Sequence, residues 1–389
     1  MRKYHIICGL LLSALPMAAE SPFRPIIASV VDGNNTILAG EASISAALES
    51  ARAENTLEGP EIEFEHLWAS GSSDKKWNIG VTQEFAWPGL YSARSAAARA
   101  GAEASRLVLL GVKADKALAA KQLIIDLVNA HARLEYYTDV RTNLDRIAAL
   151  VQKSYDLGEA TILDLRKTKL ALIDSDRALT DIRADIATLR SSLEGLGAAL
   201  PEGDAVFGAY PAQDCSRPTR ETDALLYAIH DAETAASAAK SKAVRFEAWP
   251  TLAVGYRHAF EESQHFNGLS VALRLPSFSQ GKRRRAAALE AEALSMETSA
   301  RIVEETAENS GLYSAAVALA TGMERYRELS GDNSYLSLLA KAYDGGELTV
   351  IDYLNEVNLF TGARLNYLDL EYRYNQTLAR LNRYRSMDF

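Results

Sequence analysis

The chain has 389 residues, 48% of them of hydrophobic type, and a formal net charge of -9. That is apolar enough to fold, and the acidic balance argues against nucleic acid as a partner. The two cysteines, Cys8 and Cys215, exclude a disulfide scaffold.

Residues 1–19 have the layout of a secretory signal: Arg2 and Lys3, an apolar run from Ile6 to Met17, then Ala18-Ala19 before a cut. The run is too short to span a bilayer, so the segment is expected to be removed, leaving Cys215 as the only cysteine. His5-Ile6-Ile7 before Cys8 is a poor lipidation context. No later stretch is apolar for long enough to cross a membrane as a helix. Any crossing therefore has to be made by strands.

Residues 20–42 read as an extended, weakly structured lead, followed by a short helix capped by Ser43 or Ser45 and ending near Asn55. Then the period changes to two. In Glu61 to Trp68 the even positions are mostly apolar and the odd ones mostly acidic. From Trp77 to Phe85, Trp77, Ile79, Val81 and Phe85 share one face and Asn78, Gly80, Thr82 and Glu84 the other. With a loop from Ala69 to Lys75, this predicts a hairpin with strands at about 61–69 and 76–86.

Between Pro88 and Pro201 there is no proline. Helices are predicted at about 90–157 and 161–199, the first about 100 Å long, with Leu123, Leu127, Ala130, Leu134 and Tyr137 at coiled-coil spacing. They meet at Tyr155-Asp156-Leu157-Gly158-Glu159-Ala160-Thr161-Ile162-Leu163-Asp164. There Gly158 is suited to the left-handed end of one helix, and Thr161 with Asp164 to a capping box for the next.

After a polar link at 201–218 the programme repeats. A helix covers about 221–246, strands about 250–260 and 267–275, and helices about 282–344 and 349–387, with no proline after Pro276. The second turn is Tyr343-Asp344-Gly345-Gly346-Glu347-Leu348-Thr349-Val350-Ile351-Asp352, matching the first at Tyr, Asp, Gly, Glu, Thr and Asp. The chain is thus a tandem, 20–200 and 219–389, of short helix, β-hairpin and long helical hairpin.

All four tryptophans flank strands: Trp68 and Trp77 at one end of the first hairpin, Trp87 and Trp249 at the opposite end. Aromatic belts at the two ends of strands of this length fit a membrane β-barrel. Four strands leave two open edges, which must pair with other copies of the chain. Two copies would give eight strands with a filled interior, three would give twelve with a water-filled passage. Glu61, Glu63, Glu65, Thr82, Glu84, Arg257 and Arg274 on the opposite face favour the second.

In these respects the chain resembles the TolC-type outer membrane efflux channels of Gram-negative bacteria. The likeness covers nearly the whole chain after the signal. It is carried by the duplicated turns and by two strand-to-helix joints, Gln83-Glu84-Phe85-Ala86-Trp87-Pro88-Gly89 and Leu273-Arg274-Leu275-Pro276-Ser277-Phe278-Ser279-Gln280-Gly281-Lys282. The resemblance implies an α+β membrane protein, a homotrimer with a twelve-stranded barrel in outer membrane lipid and an α-helical tunnel in the periplasm. It implies the exit duct of a three-part pump, joined by a periplasmic adaptor to an inner-membrane transporter. It also implies adaptor contact at the turn tips, here Gly158, Glu159, Thr161, Gly346, Glu347 and Thr349. An acidic ring at the entrance falls on Asp352 and Glu356, with Asp164 as the weaker counterpart, although Asp352 and Asp164 also serve as helix caps. The chain departs from many relatives in lacking a lipidated cysteine.

No nucleophile, metal or phosphate-loop motif accompanies the scattered histidines, so neither an enzyme nor a cofactor is expected. A coiled-coil scaffold, or an adaptor without a channel, is the rival reading. The exported cargo is open between metal cations and drugs, the joints leaning towards the heavy-metal branch.

Overall fold

The computed structural model describes residues 22–68, 70, 75–261, 264–330 and 334–385. The predicted signal, part of the first hairpin loop, the centre of the second, and the joint at 331–333 lie outside the described residues, as does Phe389.

The chain opens with helices, not the extended lead read from the sequence: α1 (Arg24–Gly33) and α2 (Asn35–Glu54). Phe23, Ile26, Ile27, Val30 and Val31 recur at helical spacing and are all buried, which places the segment in the core. Pro25 lies in the first turn of α1, where its missing N–H costs nothing. Asn34, whose side chain accepts from the Thr36 N–H at 3.0 Å, starts α2 well before Ser43.

Strands β1 (Glu61–Trp68), β2 (Lys75–Phe85), β3 (Thr251–Glu261) and β4 (Gln264–Arg274) form one antiparallel sheet in that order. Strand β4 starts earlier than the sequence suggested, because Phe260↔His265 and Glu261↔Gln264 continue the ladder. At Gly255 a Cβ would sit 2.6 Å from Ser270 Oγ and 2.7 Å from Thr82 Oγ1, so only glycine fits between its neighbours.

Helix α3 (Pro88–Asp156) runs for 69 residues and packs on α1, α2, α4 (Ile162–Gly195), α5 (Ala224–Glu247) and α8 (Val350–Leu381). Pro88 in its first turn is tolerated, and nothing after it breaks the ladder. Helix α4 stops short of residue 199 because Gly197, at φ +96°, turns the chain into the left-handed region. Helices α6 (Gln280–Ser330) and α7 (Ser334–Asp344) lead to the second turn, and α6 packs on α5 and α8. The stretch predicted as one helix over 282–344 is thus described as two elements.

The core is distributed along the rod. One cluster joins α1, α2, α3, α4 and Phe207 near the middle. Another joins α3, α4, α7 and α8 around Tyr136, Ile147, Leu339, Tyr353 and Phe360 near the helical tips. A buried pair, Arg385 to Asp223 at 3.2 Å with Asn309 donating to the same carboxylate at 2.9 Å, ties the chain end to the start of α5 and to α6.

Candidate functional site

Register sorts the sheet into two chemically opposite faces. Opposed residues in an antiparallel pair share a face, so Glu61, Glu63, Glu65, Asn78, Thr82, Glu84, Arg257, Ser270 and Arg274 lie together. They are cross-linked by charge: Arg257 to Glu63 at 2.9 Å, Arg274 to Glu84 at 3.0 Å, Lys76 to Glu261 at 2.7 Å. Asn78 donates to Glu65 at 2.6 Å, and Thr251 to Glu84 at 2.6 Å. The other face carries Ile62, Phe64, Ile79, Val81, Val254, Tyr256, Leu269, Val271 and Leu273, all open to the surroundings. Leu269 is 84% and Val271 71% exposed. In water such a contiguous apolar surface is unfavourable by roughly 25 cal/mol per Å².

The four tryptophans take two levels. Trp87 and Trp249 stack at 5.0 Å where the sheet meets the helices. Trp77 stacks on Phe260 at 5.9 Å at the hairpin end, beside Trp68 and His66. None of the described helices is long and apolar enough to cross a membrane.

At the opposite end of the rod the two turns have the same backbone. Gly158 (φ +78°) and Gly346 (φ +74°) are left-handed. In each, the following glutamate N–H reaches back to a helical carbonyl, Glu159 to Ser154 O at 2.8 Å and Glu347 to Ala342 O at 2.9 Å. The glycine N–H bonds Tyr155 O or Tyr343 O at 3.0 Å, completing a Schellman end. Thr161 and Thr349 cap the next helices, their hydroxyls donating at 2.6 Å to Asp164 and Asp352. Gly158, Glu159, Thr161, Gly346, Glu347 and Thr349 are all exposed.

The structure distinguishes the acidic residues. Asp164 also accepts the Thr161 N–H, and the Thr161 hydrogen bonds hold its carboxyl below the usual range. Asp352 is exposed, while Glu356, one turn on, is half-buried and accepts the Tyr335 hydroxyl at 3.1 Å. Sequence reasoning missed the groups beside them. Arg146 on α3 pairs with Asp344 at 2.7 Å across the repeats, and Tyr353 is fully buried. The only signal was a mismatch: Tyr353 stands where the first repeat has Leu165.

Further exposed apolar residues keep a heptad interval on the helices. Leu289, Met296 and Val303 do so on α6, and Leu163 and Leu170 on α4. They are exposed seams that no other described residue covers.

No protein-family model and no curated protein sequence matches this chain. Solved structures do. A membrane protein from Pseudomonas aeruginosa aligns over 94% of this chain and 90% of its own, with a TM-score of 0.75 and 17% identity. The outer membrane protein VceC of Vibrio cholerae aligns over 92% and 95%, with a TM-score of 0.71 and 15% identity. The CmeC outer membrane channel of Campylobacter jejuni aligns over 93% and 85%, with a TM-score of 0.74 and 12% identity. At such identities the likeness is one of fold. The α+β architecture of β-hairpins and long helical hairpins, and with it the resemblance in fold to TolC-type channels, is borne out.

Proposed function

We propose that the chain is one third of the wall of an outer membrane channel. Three four-stranded sheets close a twelve-stranded barrel, and the two repeats, 20–200 and 219–389, continue it as a helical tunnel in the periplasm. It acts as the passive exit duct of a three-part efflux pump, opened by a periplasmic adaptor, fed by an inner-membrane transporter, and passing metal cations or drugs.

The observation that carries this reading is the two-faced sheet with bare edges. A bilayer suits the exposed apolar face, and water suits the ion-paired one. Strands β1 and β4 each lack a neighbour on one side among the described residues. In hydrocarbon every unpaired backbone group costs several kcal/mol, so the edges must be met by other protomers. Eight strands would have to pack Glu61, Glu63, Glu65 and Arg257 into a filled interior; twelve leave them in water. The heptad seams on α4 and α6 supply packing between protomers below the barrel. A scaffold or adaptor without a channel has no use for the exposed apolar face.

In this reading Gly158, Glu159, Thr161, Gly346, Glu347 and Thr349 are the adaptor-docking tips. Asp352 and Glu356 ring the entrance, with Asp164 in a capping role, and favour cations. Charge reversal at the tip, Glu347→Lys, is expected to restore drug or metal sensitivity to cells while leaving detergent-extractable trimers in the outer membrane. Normal efflux in that variant removes the docking role, and a water-soluble monomer removes the channel.

A further inference from the structure

At the hairpin end of the sheet, on its apolar face, two histidines occupy diagonal positions on adjacent strands. His258 on β3 lies opposite Asn267, and His265 on β4 lies opposite Phe260. His258 Nε2 and His265 Nδ1 are 3.3 Å apart. Two ligands at about 2.0–2.1 Å from one tetrahedral ion stand about 3.3 Å from each other. The tautomer of His258 is set from behind. Its Nδ1 lies 2.8 Å from Asn267 Oδ1, an oxygen that can only accept, so Nδ1 carries the proton and Nε2 accepts from His265 Nδ1, a hydrogen bond that a bound ion replaces when His265 gives up that proton. Tyr256 donates to the same oxygen at 2.6 Å and holds the amide in place. This is the outer-shell arrangement that orients a ligating imidazole.

The surroundings suit a cation that tolerates neutral nitrogen donors. Trp77 lies 5.5 Å from the His258 ring and Phe260 5.1 Å from the His265 ring, while the nearby Lys76–Glu261 pair projects from the opposite face. His258 is half-buried and His265 exposed, so the site is open to solvent on the His265 side, where that ring stacks on His258 at 5.3 Å. No cluster of three or more ligating side chains exists among the described residues, which makes this a two-ligand site completed by water.

We propose that His258 and His265 bind a borderline divalent transition ion, Zn²⁺ or Cu²⁺, and clip β3 to β4 at the hairpin end. Imidazole pairs select these ions over Mg²⁺ or Ca²⁺, which prefer oxygen. The site depends on neither the identity of the cargo nor the adaptor.

The test uses the full-length protein in detergent, purified on a tag without histidine and stripped of metal. Zn²⁺ is titrated by calorimetry, and Cu²⁺ by electron paramagnetic resonance and by quenching of tryptophan fluorescence, to which Trp77 is the nearest reporter. Expected are one ion per chain, two coordinated imidazole nitrogens, and quenching that Trp77→Phe reduces. Single changes His258→Ala and His265→Ala each remove the two-nitrogen signature. Asn267→Ala keeps it but weakens binding by about 10–100-fold, the usual effect of an outer-shell loss. His131→Gln, on α3 and outside the sheet, leaves all three readouts unchanged and shows that they report the sheet histidines. A wild-type protein that shows no two-nitrogen Cu²⁺ signal overturns the proposal. So does a signal that persists in His258→Ala or His265→Ala.

Discussion

The two helical tips share a backbone and differ in what surrounds it. At the first, Asp164 is drawn into a full capping box and is followed by Arg166, Lys167 and Lys169. At the second, Asp352 is followed by Tyr353, Asn355 and Glu356, and the position matching Thr168 is the second acid. The first tip therefore balances its own charge, and the second leaves a carboxylate pair one turn apart. The second is also anchored differently, through buried Tyr353 and the Arg146–Asp344 pair. The two turns keep one backbone and differ in the side chains beside it, which is why the proposed entrance is placed at the second tip.

The largest expected difference is in packing. Tyr353→Ala removes a wholly buried ring and is expected to cost about 3–5 kcal/mol, read as a lowered melting temperature of the purified protein. Tyr353→Phe removes only a buried hydroxyl that has no hydrogen-bond partner among the described residues, and is expected to be neutral or mildly stabilising. If both variants lose the same stability, the hydroxyl has a partner in the assembled protein.

Charge comes next. In planar bilayers, Asp352→Asn combined with Glu356→Gln is expected to lower the cation-over-anion permeability ratio several-fold, while Asp164→Asn leaves it within error. Equal effects would erase the distinction between the tips.

Caps should differ less. Thr161→Ala and Thr349→Ala are each expected to cost about 1 kcal/mol. The first tip should add an acid-sensitive component. The Thr161 bonds depress the Asp164 carboxyl in the folded state, so this contribution is present above the ordinary carboxylate range near pH 4. It is lost as pH falls through the lower folded value. A melting curve against pH in Asp164→Asn should lack that component.

Smallest in stability is Arg146→Ala. The pair with Asp344 is partly exposed and is expected to contribute less than about 1 kcal/mol. Its effect belongs instead to conductance, which should rise if the pair restrains the second tip.

Much of this was legible in the sequence, for identifiable reasons. Period-two alternation in Glu61–Trp68 and Leu269–Leu275 specified both faces of the sheet, because each strand had one chemistry per side. Gly158, Gly346, Thr161 and Thr349 announced the turns, because left-handed backbone and hydroxyl caps tolerate few residue types. Helix α1 and the first half of α2 were missed although Phe23, Ile26, Ile27, Val30 and Val31 had helical spacing, since a ten-residue element beside small and polar residues carries little local signal; the end of α2 near Asn55 was legible. Arg146–Asp344 was invisible for another reason: the partners are far apart in the chain, and neither is unusual on a helix surface. The pairing of His258 with His265 needed a register that only the ladder supplies.

The unpaired rims of β1 and β4 also have a thermodynamic consequence. In the proposed assembly the sheet of each protomer is finished only by its neighbours, so its apparent stability is expected to rise with the number of chains present. Diluted newly made chains should stay unassembled, with their adhesive strand rims needing a holding chaperone in the aqueous space. In that assembly, insertion and rim pairing are expected to be coupled.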